Sequence, residues 1–375
     1  MSSDAFSAED HQWMAHALRL AERGVMTARP NPRVGCVIVR DGECVGEGWH
    51  ARTGEAHAEV HALRAAGAEA RGAIVYVNLE PCSHFGRTPP CCDALLEAGV
   101  AEVVVAMRDP NPAVAGNGLE RLRQGGVRVR EGLLEPGALV LNAGFARRML
   151  RRRPWVRCKL AASLDGRTAM ASGESRWITG AAARADVHRW RARSCAIVTG
   201  SGTVRADDPA LTVRDVTGAA EIPPPLRVVL DSGLTTPPHA RLLAEPGPVL
   251  ILTASEDNER RAALEAAGAE VERIASRDGV LDLEAVLELL AGRQVNEVLV
   301  ESGPTLAGAF LGGGWVDEFI VYQAPHLMGH QARPLLQLPG LETMAGRRQL
   351  TLLDVRRVGD DIRIMARPEP VAGEG

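Results

Sequence analysis

The sequence predicts an α/β protein in two domains, residues 1–150 and 151–370. Three observations carry that reading. Apolar, β-rich runs alternate with helical patterns, and the alternation restarts in the second half of the chain. The 375 residues are what two domains of roughly 100–200 residues each require. Between the halves lies Arg147–Pro154 (RRMLRRRP), five arginines in seven residues followed by proline, which suits an exposed connector.

In the first half, Ser7 with Asp10 three residues on has the form of a capping box. Trp13, Ala17, Leu18 and Ala21 then follow helical spacing. Asn31-Pro32 is a turn. Val34–Arg40 and Cys44–Trp49 form a hairpin around Asp41-Gly42. His57–Ala66 is helical, Ala73–Asn78 a buried strand, Cys92–Ala98 a helix ended by Gly99, and Glu102–Met107 a strand.

In the second half, Val156–Ala161, Ala196–Thr199, Arg227–Leu230, Val249–Leu252, Glu297–Val300 and Phe319–Tyr322 read as strands. Ala181–Arg193, Glu259–Ala267 and Leu283–Leu290 read as helices. Pro304–Leu311 is a helix with proline in its first turn. No internal repeat interrupts the pattern.

Composition narrows the function. Hydrophobic residues make up 46% and charged residues 24% of the chain, which excludes a wholly disordered protein. A net charge of −4 argues against a general nucleic-acid or membrane binder. No run of 18 apolar residues predicts a membrane span. The N-terminus MSSDAFSAED is polar and acidic, unlike a secretory signal, so a cytoplasmic location is expected. Seven cysteines, five of them before residue 93, favour metal or buried thiols over disulfides in such a compartment. Of 43 basic side chains only Lys159 is a lysine.

The chemistry concentrates in His57-Ala58-Glu59, Pro81-Cys82 and Cys91-Cys92. One imidazole and two thiolates fill three corners of a zinc tetrahedron and leave the fourth for water, which is the catalytic arrangement. Zinc lowers the pKa of that water. Glu59, two residues after the histidine, can take the water's proton and deliver it to a leaving amine. His-x-Glu followed by Pro-Cys is the signature of zinc-dependent base deaminases. On spacing alone the second thiolate is Cys91 or Cys92, which point about 100° apart on a helix. The common deaminase spacing has two residues between the cysteines. Here there are eight, so Ser83–Pro90 is a loop beside the metal, and its His84 and Arg87 can meet a charged substrate.

For the second half no G-x-G-x-x-G follows a strand, so a Rossmann dinucleotide site is not supported. Gly303-Pro304-Thr305-Leu306-Ala307-Gly308 instead joins a strand to a helix start, where backbone N–H groups can bind phosphate. Lys159, at the end of a predicted strand, offers a compact donor to a sugar oxygen or a developing charge.

These segments carry a close resemblance. Pro81–Cys91 (PCSHFGRTPPC), Arg29–Gly35 (RPNPRVG) and Gly54–Leu63 (GEAHAEVHAL) resemble the deaminase motifs of the bifunctional riboflavin-biosynthesis deaminase/reductase family, RibD. Lys159–Arg167 (KLAASLDGR), Gly173–Thr179, Thr203–Arg214 and Val300–Gly308 are similar to its reductase motifs. Together they span about residues 10 to 335.

The resemblance implies an N-terminal domain of three-layer, cytidine-deaminase-like fold and a C-terminal domain of dihydrofolate-reductase-like α/β fold. The first would deaminate 2,5-diamino-6-ribosylamino-4(3H)-pyrimidinone 5′-phosphate with one zinc on His57, Cys82 and Cys91. Glu59 would shuttle the proton, and Asn31, His50, His84 and Arg87 would contact substrate. Cys92 and His61 are then packing residues.

The second domain would reduce the ribosyl group to ribityl with NADPH. The resemblance places cofactor at Ala161, Trp177, Thr203, Asp207, Ser232 and the Gly303–Gly308 loop. It places substrate at Ser175, Arg191, Leu211, Arg214 and Glu301, with Arg191 and Arg214 suited to a phosphate by their paired donors. Lys159 is expected to act in the reduction, and Asp207 and Glu301 to orient or protonate the sugar. The partner is a phosphorylated pyrimidine, not nucleic acid or membrane, and a homo-oligomer, dimer or tetramer, is expected.

Two other readings compete. A nucleoside or nucleic-acid zinc deaminase would explain the metal motif and leave the second half without a role. A zinc-stabilised binding protein would show damage at Glu59 or at a ligand, and there is none.

Overall fold

The computed structural model describes residues 5–83, 90–112 and 114–369. The chain divides into two compact units, Met1–Arg153 and Pro154–Gly375.

The first unit holds α1 (Ala8–Glu22), β1 (Gly35–Arg40), β2 (Glu43–Trp49), α2 (Ala58–Ala66), β3 (Ile74–Leu79), α3 (Cys91–Ala98), β4 (Glu102–Met107), α4 (Asn117–Gln124), β5 (Arg128–Glu131), α5 (Glu135–Leu141) and α6 (Ala143–Arg151). Its sheet runs β2-β1-β3-β4-β5. β1 pairs antiparallel with β2 and β3, and β3, β4 and β5 are parallel. Both faces are covered, so β1, β3 and β4 read as continuous apolar runs rather than alternating ones.

α1 and α5 cover one face, and α2 packs on β1 and β2 from the other. Glycines permit that approach. A Cβ on Gly48 would lie 2.6 Å from the Ala58 carbonyl oxygen, and one on Gly46 would lie 2.3 Å from that of Ala62. α2 is thereby seated directly on the hairpin, which fixes where its first turn points. α1 starts at the expected capping box: Ser7 Oγ accepts from the Asp10 N–H, and Asp10 accepts from the Ser7 N–H.

The arginine-rich run read as a connector is mostly the last turns of α6. Arg147, Arg148 and Arg151 are helical, and the chain turns at Arg152 in the left-handed region. The reason is local: Gly144, Phe145 and Ala146 are buried, so the segment has an apolar side to pack.

The second unit begins with β6 (Trp155–Ser163), β7 (Arg167–Ala169), α7 (Ala181–Arg193), β8 (Ala196–Gly200), α8 (Ser201–Asp207), β9 (Leu226–Leu230), α9 (Arg241–Ala244), β10 (Val249–Thr253), α10 (Asn258–Ala266) and β11 (Glu270–Arg273). It continues with the short pair β12 (Ser276–Arg277) and β13 (Val280–Leu281), then α11 (Leu283–Gly292), β14 (Glu297–Glu301), α12 (Pro304–Gly312), β15 (Glu318–Ala324), β16 (Arg333–Pro334), β17 (Leu350–Val358) and β18 (Asp361–Pro368).

The main sheet order is β11-β10-β9-β8-β14-β6-β15-β18-β17. It is parallel from β11 to β15 and closes with two antiparallel strands. Val156, Cys158, Val198, Val298 and Val300 meet α11 and α12 on one face. Val229, Ile251 and Val271 meet α8, α9 and α10 on the other, beside the α7 cluster of Val187 and Trp190 with Leu299 and Tyr322. In a sheet of this kind, ligands bind outside the C-terminal ends of the parallel strands.

Candidate active sites

In the first unit, His57 is the residue before α2, Cys82 follows β3, and Cys91 is the first residue of α3. Their side chains converge. Cys91 Sγ lies 3.3 Å and Cys82 Sγ 3.6 Å from His57 Nδ1, and all three donor atoms fall within 4.8 Å of one another. A tetrahedral zinc with bonds of about 2.0 Å to nitrogen and 2.3 Å to sulfur needs N···S edges of about 3.6 Å, so the donor set fits the ion.

Charge also favours a metal here. Cys82 Sγ accepts the N–H of Cys91 at the start of α3. The hydrogen bond from the Cys91 thiol, together with those from His57 and the Cys91 N–H, holds the Cys82 thiol below its ordinary range against the cost of burial.

Glu59 sits in the first turn of α2 and is 3% exposed. Burial pushes its carboxyl up to about 7, and the neighbouring Cys82 charge adds to the shift. That is the range a proton shuttle uses at neutral pH.

Asn31 and His50 join the same pocket. The His50 ring is 2% exposed and lies edge-on to His57 at 5.3 Å. Its Nε2 accepts from Asn31 Nδ2 at 3.0 Å while Nδ1 donates to the Ala56 carbonyl at 3.2 Å. Burial lowers its pKa, which keeps the ring neutral. Arg33, next to Asn31-Pro32, is pinned by Asn78 and Asn142, both donating to its carbonyl oxygen, while Asn142 also accepts its N–H. Sequence reading missed those two asparagines; Asn142 is 109 residues away, and nothing local marks it.

Cys92 is buried, its thiol near the carbonyl oxygens of Pro81 and Gly118. His61 is not one of the converging donors, and its Cβ lies 2.5 Å from where a Cβ on Gly48 would be. Both behave as packing residues. His84 and Arg87 lie outside the described residues.

In the second unit, Lys159 and Glu301 are opposite each other in the β6–β14 register. Arg191, from α7, forks onto Glu301 with Nε to Oε1 at 2.6 Å and Nη2 to Oε2 at 2.9 Å. Burial would raise the Glu301 carboxyl, but Arg191 and then Lys159 outweigh it and hold the group low, so it stays ionised. Burial lowers the Lys159 ammonium, which Glu301 partly offsets, with Asp207 also within range. Asp207, at the end of α8, accepts from Ser175 Oγ at 3.1 Å. The structure therefore brings Lys159, which stands at the middle of β6 and not at a strand end as expected, together with Asp207, Glu301, Arg191 and Ser175 near the C-terminal ends of β8 and β14.

The Gly303–Gly308 loop is at the same edge. Gly303 caps α12, Pro304 is in its first turn, and the Gly303 N–H donates to Thr203 Oγ1 at 3.2 Å. The N–H groups of this turn form a helix start able to meet a phosphate. Thr305 Oγ1 donates to Gln337. Leu306 is half-buried, Ala307 and Gly308 are buried, and a Cβ on Gly308 would sit 2.0 Å from the Gln337 carbonyl oxygen.

Ala161 is half-buried on β6, and Ser232 is exposed just beyond β9. Trp177 is 70% exposed with Arg184 stacked 4.5 Å from its ring. Leu211 is buried in the left-handed region, and Arg214 is exposed.

His188 was not foreseen. Its Nδ1 lies 3.1 Å from the Thr212 carbonyl oxygen and 3.2 Å from the Arg214 N–H, while Arg191 Nη1 donates to the same carbonyl. The spacing of His188 and Arg191 on one helix face was the available signal.

Comparison with known proteins follows the same division. Residues 7–107 match the model of the cytidine and deoxycytidylate deaminase zinc-binding region, and residues 154–364 match the RibD C-terminal domain. Riboflavin biosynthesis protein RibD of Escherichia coli is 52% identical, covering 94% of this chain and 98% of its own. The Haemophilus influenzae protein of that name is 44% identical, covering 98% and 99%. The structure is similar to Acinetobacter baumannii RibD, with TM-score 0.90, 45% identity, and 96% and 99% coverage. It is also similar to a diaminohydroxyphosphoribosylaminopyrimidine deaminase/5-amino-6-(5-phosphoribosylamino)uracil reductase from Thermotoga maritima, with TM-score 0.84, 33% identity, and the same coverage.

Proposed function

Because this chain belongs to the RibD family, we propose that its two sites act in turn on one phosphorylated pyrimidine. It is a bifunctional enzyme of riboflavin biosynthesis, a zinc-dependent deaminase joined to a reductase. The observation that carries the first activity is the convergence of His57, Cys82 and Cys91 beside buried Glu59.

In the first step the ring amine of 2,5-diamino-6-ribosylamino-4(3H)-pyrimidinone 5′-phosphate is exchanged for oxygen. His57, Cys82 and Cys91 would hold the zinc, which would supply Lewis acidity toward a water. Glu59 takes a proton and passes it to the departing amine. Asn31 and neutral His50 orient the ring, with His84 and Arg87 as further contacts.

In the second step the reductase unit would hold NADPH, which would supply hydride to the ribosyl group when bound. The α12 start and Thr203 would hold the cofactor phosphate, and Ala161, Trp177, Asp207 and Ser232 would hold the rest. Lys159 donates to the sugar oxygen where charge develops. Arg191 keeps Glu301 ionised and aimed, and exposed Arg214 faces the substrate phosphate.

A nucleic-acid deaminase with an unrelated second half is set aside because the RibD C-terminal model covers 154–364. Among the described residues no helix is long and apolar enough to cross a membrane. The reading further places the enzyme in the cytoplasm, in keeping with seven free cysteines, as a homo-oligomer.

The test treats the full chain with a zinc chelator. Deamination is lost, while the already deaminated nucleotide still drives NADPH oxidation. Loss of both activities together, or of neither, contradicts two independent sites.

A further inference from the structure

The residues flanking both thiolates are gripped by one element that carries no ligand. Glu80, two residues before Cys82, is buried. Its Oε2 accepts from the N–H groups of Asp109 and Gly116, each at 3.0 Å, and its Oε1 from those of Gly118 at 2.9 Å and Leu119 at 3.4 Å. The last two are first-turn donors of α4, whose N-cap is Gly116 and offers no side chain. A carboxylate from just beyond β3 thus caps this helix and satisfies its otherwise orphaned N–H groups.

The next residue approaches even more closely. A Cβ on Gly118 would stand 2.1 Å from the Pro81 carbonyl oxygen, so only glycine lets the chain before Cys82 rest on α4. On the other side of Cys82, Arg121 of α4 donates to the Ser83 carbonyl oxygen at 3.2 Å.

The same helix reaches the neighbours of Cys91. The Cys92 thiol lies 3.4 Å from the Gly118 carbonyl oxygen and 3.2 Å from that of Pro81. Arg121 also pairs with Asp93 of α3 at 2.7 Å.

We infer that α4 is the brace that sets the Cys82–Cys91 pair for zinc, with Glu80 and Arg121 as positioning residues. Each thiolate leaves a chain whose flanking residues are tied to α4, so the two sulfurs hold their separation without the ion. Outer supports of this kind commonly alter metal affinity by about 10–100-fold when removed. The inference rests on the assignment of zinc to His57, Cys82 and Cys91.

The experiment loads the full chain with zinc and follows transfer of the ion to a chromogenic chelator. A cobalt-loaded sample gives the ligand-field spectrum, and the circular dichroism spectrum of the full chain checks folding. Arg121→Ala is decisive because that side chain is 43% exposed and its loss leaves the core intact. Zinc should leave this variant about three- to five-fold faster, the scale of a surface ion pair, with a shifted cobalt spectrum and an unchanged circular dichroism spectrum. Glu80→Gln replaces one acceptor oxygen by an NH₂ facing backbone donors, and release should be about 10–100-fold faster. Unchanged release and spectrum in Arg121→Ala would overturn the brace. A wild-type chain that takes up no zinc would instead overturn the metal assignment itself.

Discussion

At the scale of single residues, groups that touch reacting atoms are distinct from groups that hold them in place. On the proposed mechanism Glu59 is of the first kind. Glu59→Gln keeps the shape and leaves the three ligands in place, so zinc content should persist while deamination falls about 10²–10⁴-fold, the usual contribution of a positioned acid–base group. Zinc analysis beside a deamination assay checks it. Lys159 is the corresponding test in the second unit. Lys159→Arg keeps the charge but not the compact ammonium, so reduction should drop about 10²–10³-fold with deamination intact. Normal reductase turnover in that variant would remove lysine from the mechanism. The metal ligands and Glu59 are legible from sequence because they lie in short contiguous motifs. The supports are not: the partners of Glu80 lie 29–39 residues away, and His188 gains its meaning only once α7 faces residues 212–214.

At the scale of elements, the strands and helices with buried faces follow from periodicity. The β1–β2 hairpin, β3, β4, α7, β8, β9, β10, α11, β14 and α12 all appear within a few residues of their expected limits. α4, β5, α5, α8, β17 and β18 were not foreseen. β17 has no buried residue, so its alternation carries no core signal and only pairing with β18 makes it a strand. α4 is short and starts on glycine, its cap supplied by distant Glu80.

A pH prediction belongs to α1. Burial would raise the Asp10 carboxyl, but two hydrogen bonds from Arg130, with others from Ser7 and Tyr76, hold it well below the ordinary range. A folded pKa below the unfolded one stabilises the fold above about pH 4, and that contribution fades as pH falls further. Asp10→Asn should therefore lower stability by about 3 kcal/mol at pH 7. In denaturant melts across pH, the gap from wild type should shrink below pH 4. A gap that does not depend on pH would mean the Asp10 charge contributes nothing.

At the scale of the whole molecule, two separately packed units carry two chemistries on one chain. The chain length, the alternation of strands and helices that restarts in the second half, and the arginine-rich run between the halves together make that division legible in the sequence. The edge of the second sheet where Lys159, Asp207, Glu301 and the α12 start meet is not, since it depends on β14 inserting between β8 and β6. The central claim is that both units act on the same pyrimidine nucleotide in a fixed order. The most direct measurement incubates the full chain with the diaminopyrimidine nucleotide, with and without NADPH, and weighs the products. Without NADPH the account predicts a product in which one amino group has become oxo. With NADPH it predicts the same product carrying two more hydrogens on the sugar. A nucleotide left unchanged, or one reduced without being deaminated, would contradict it.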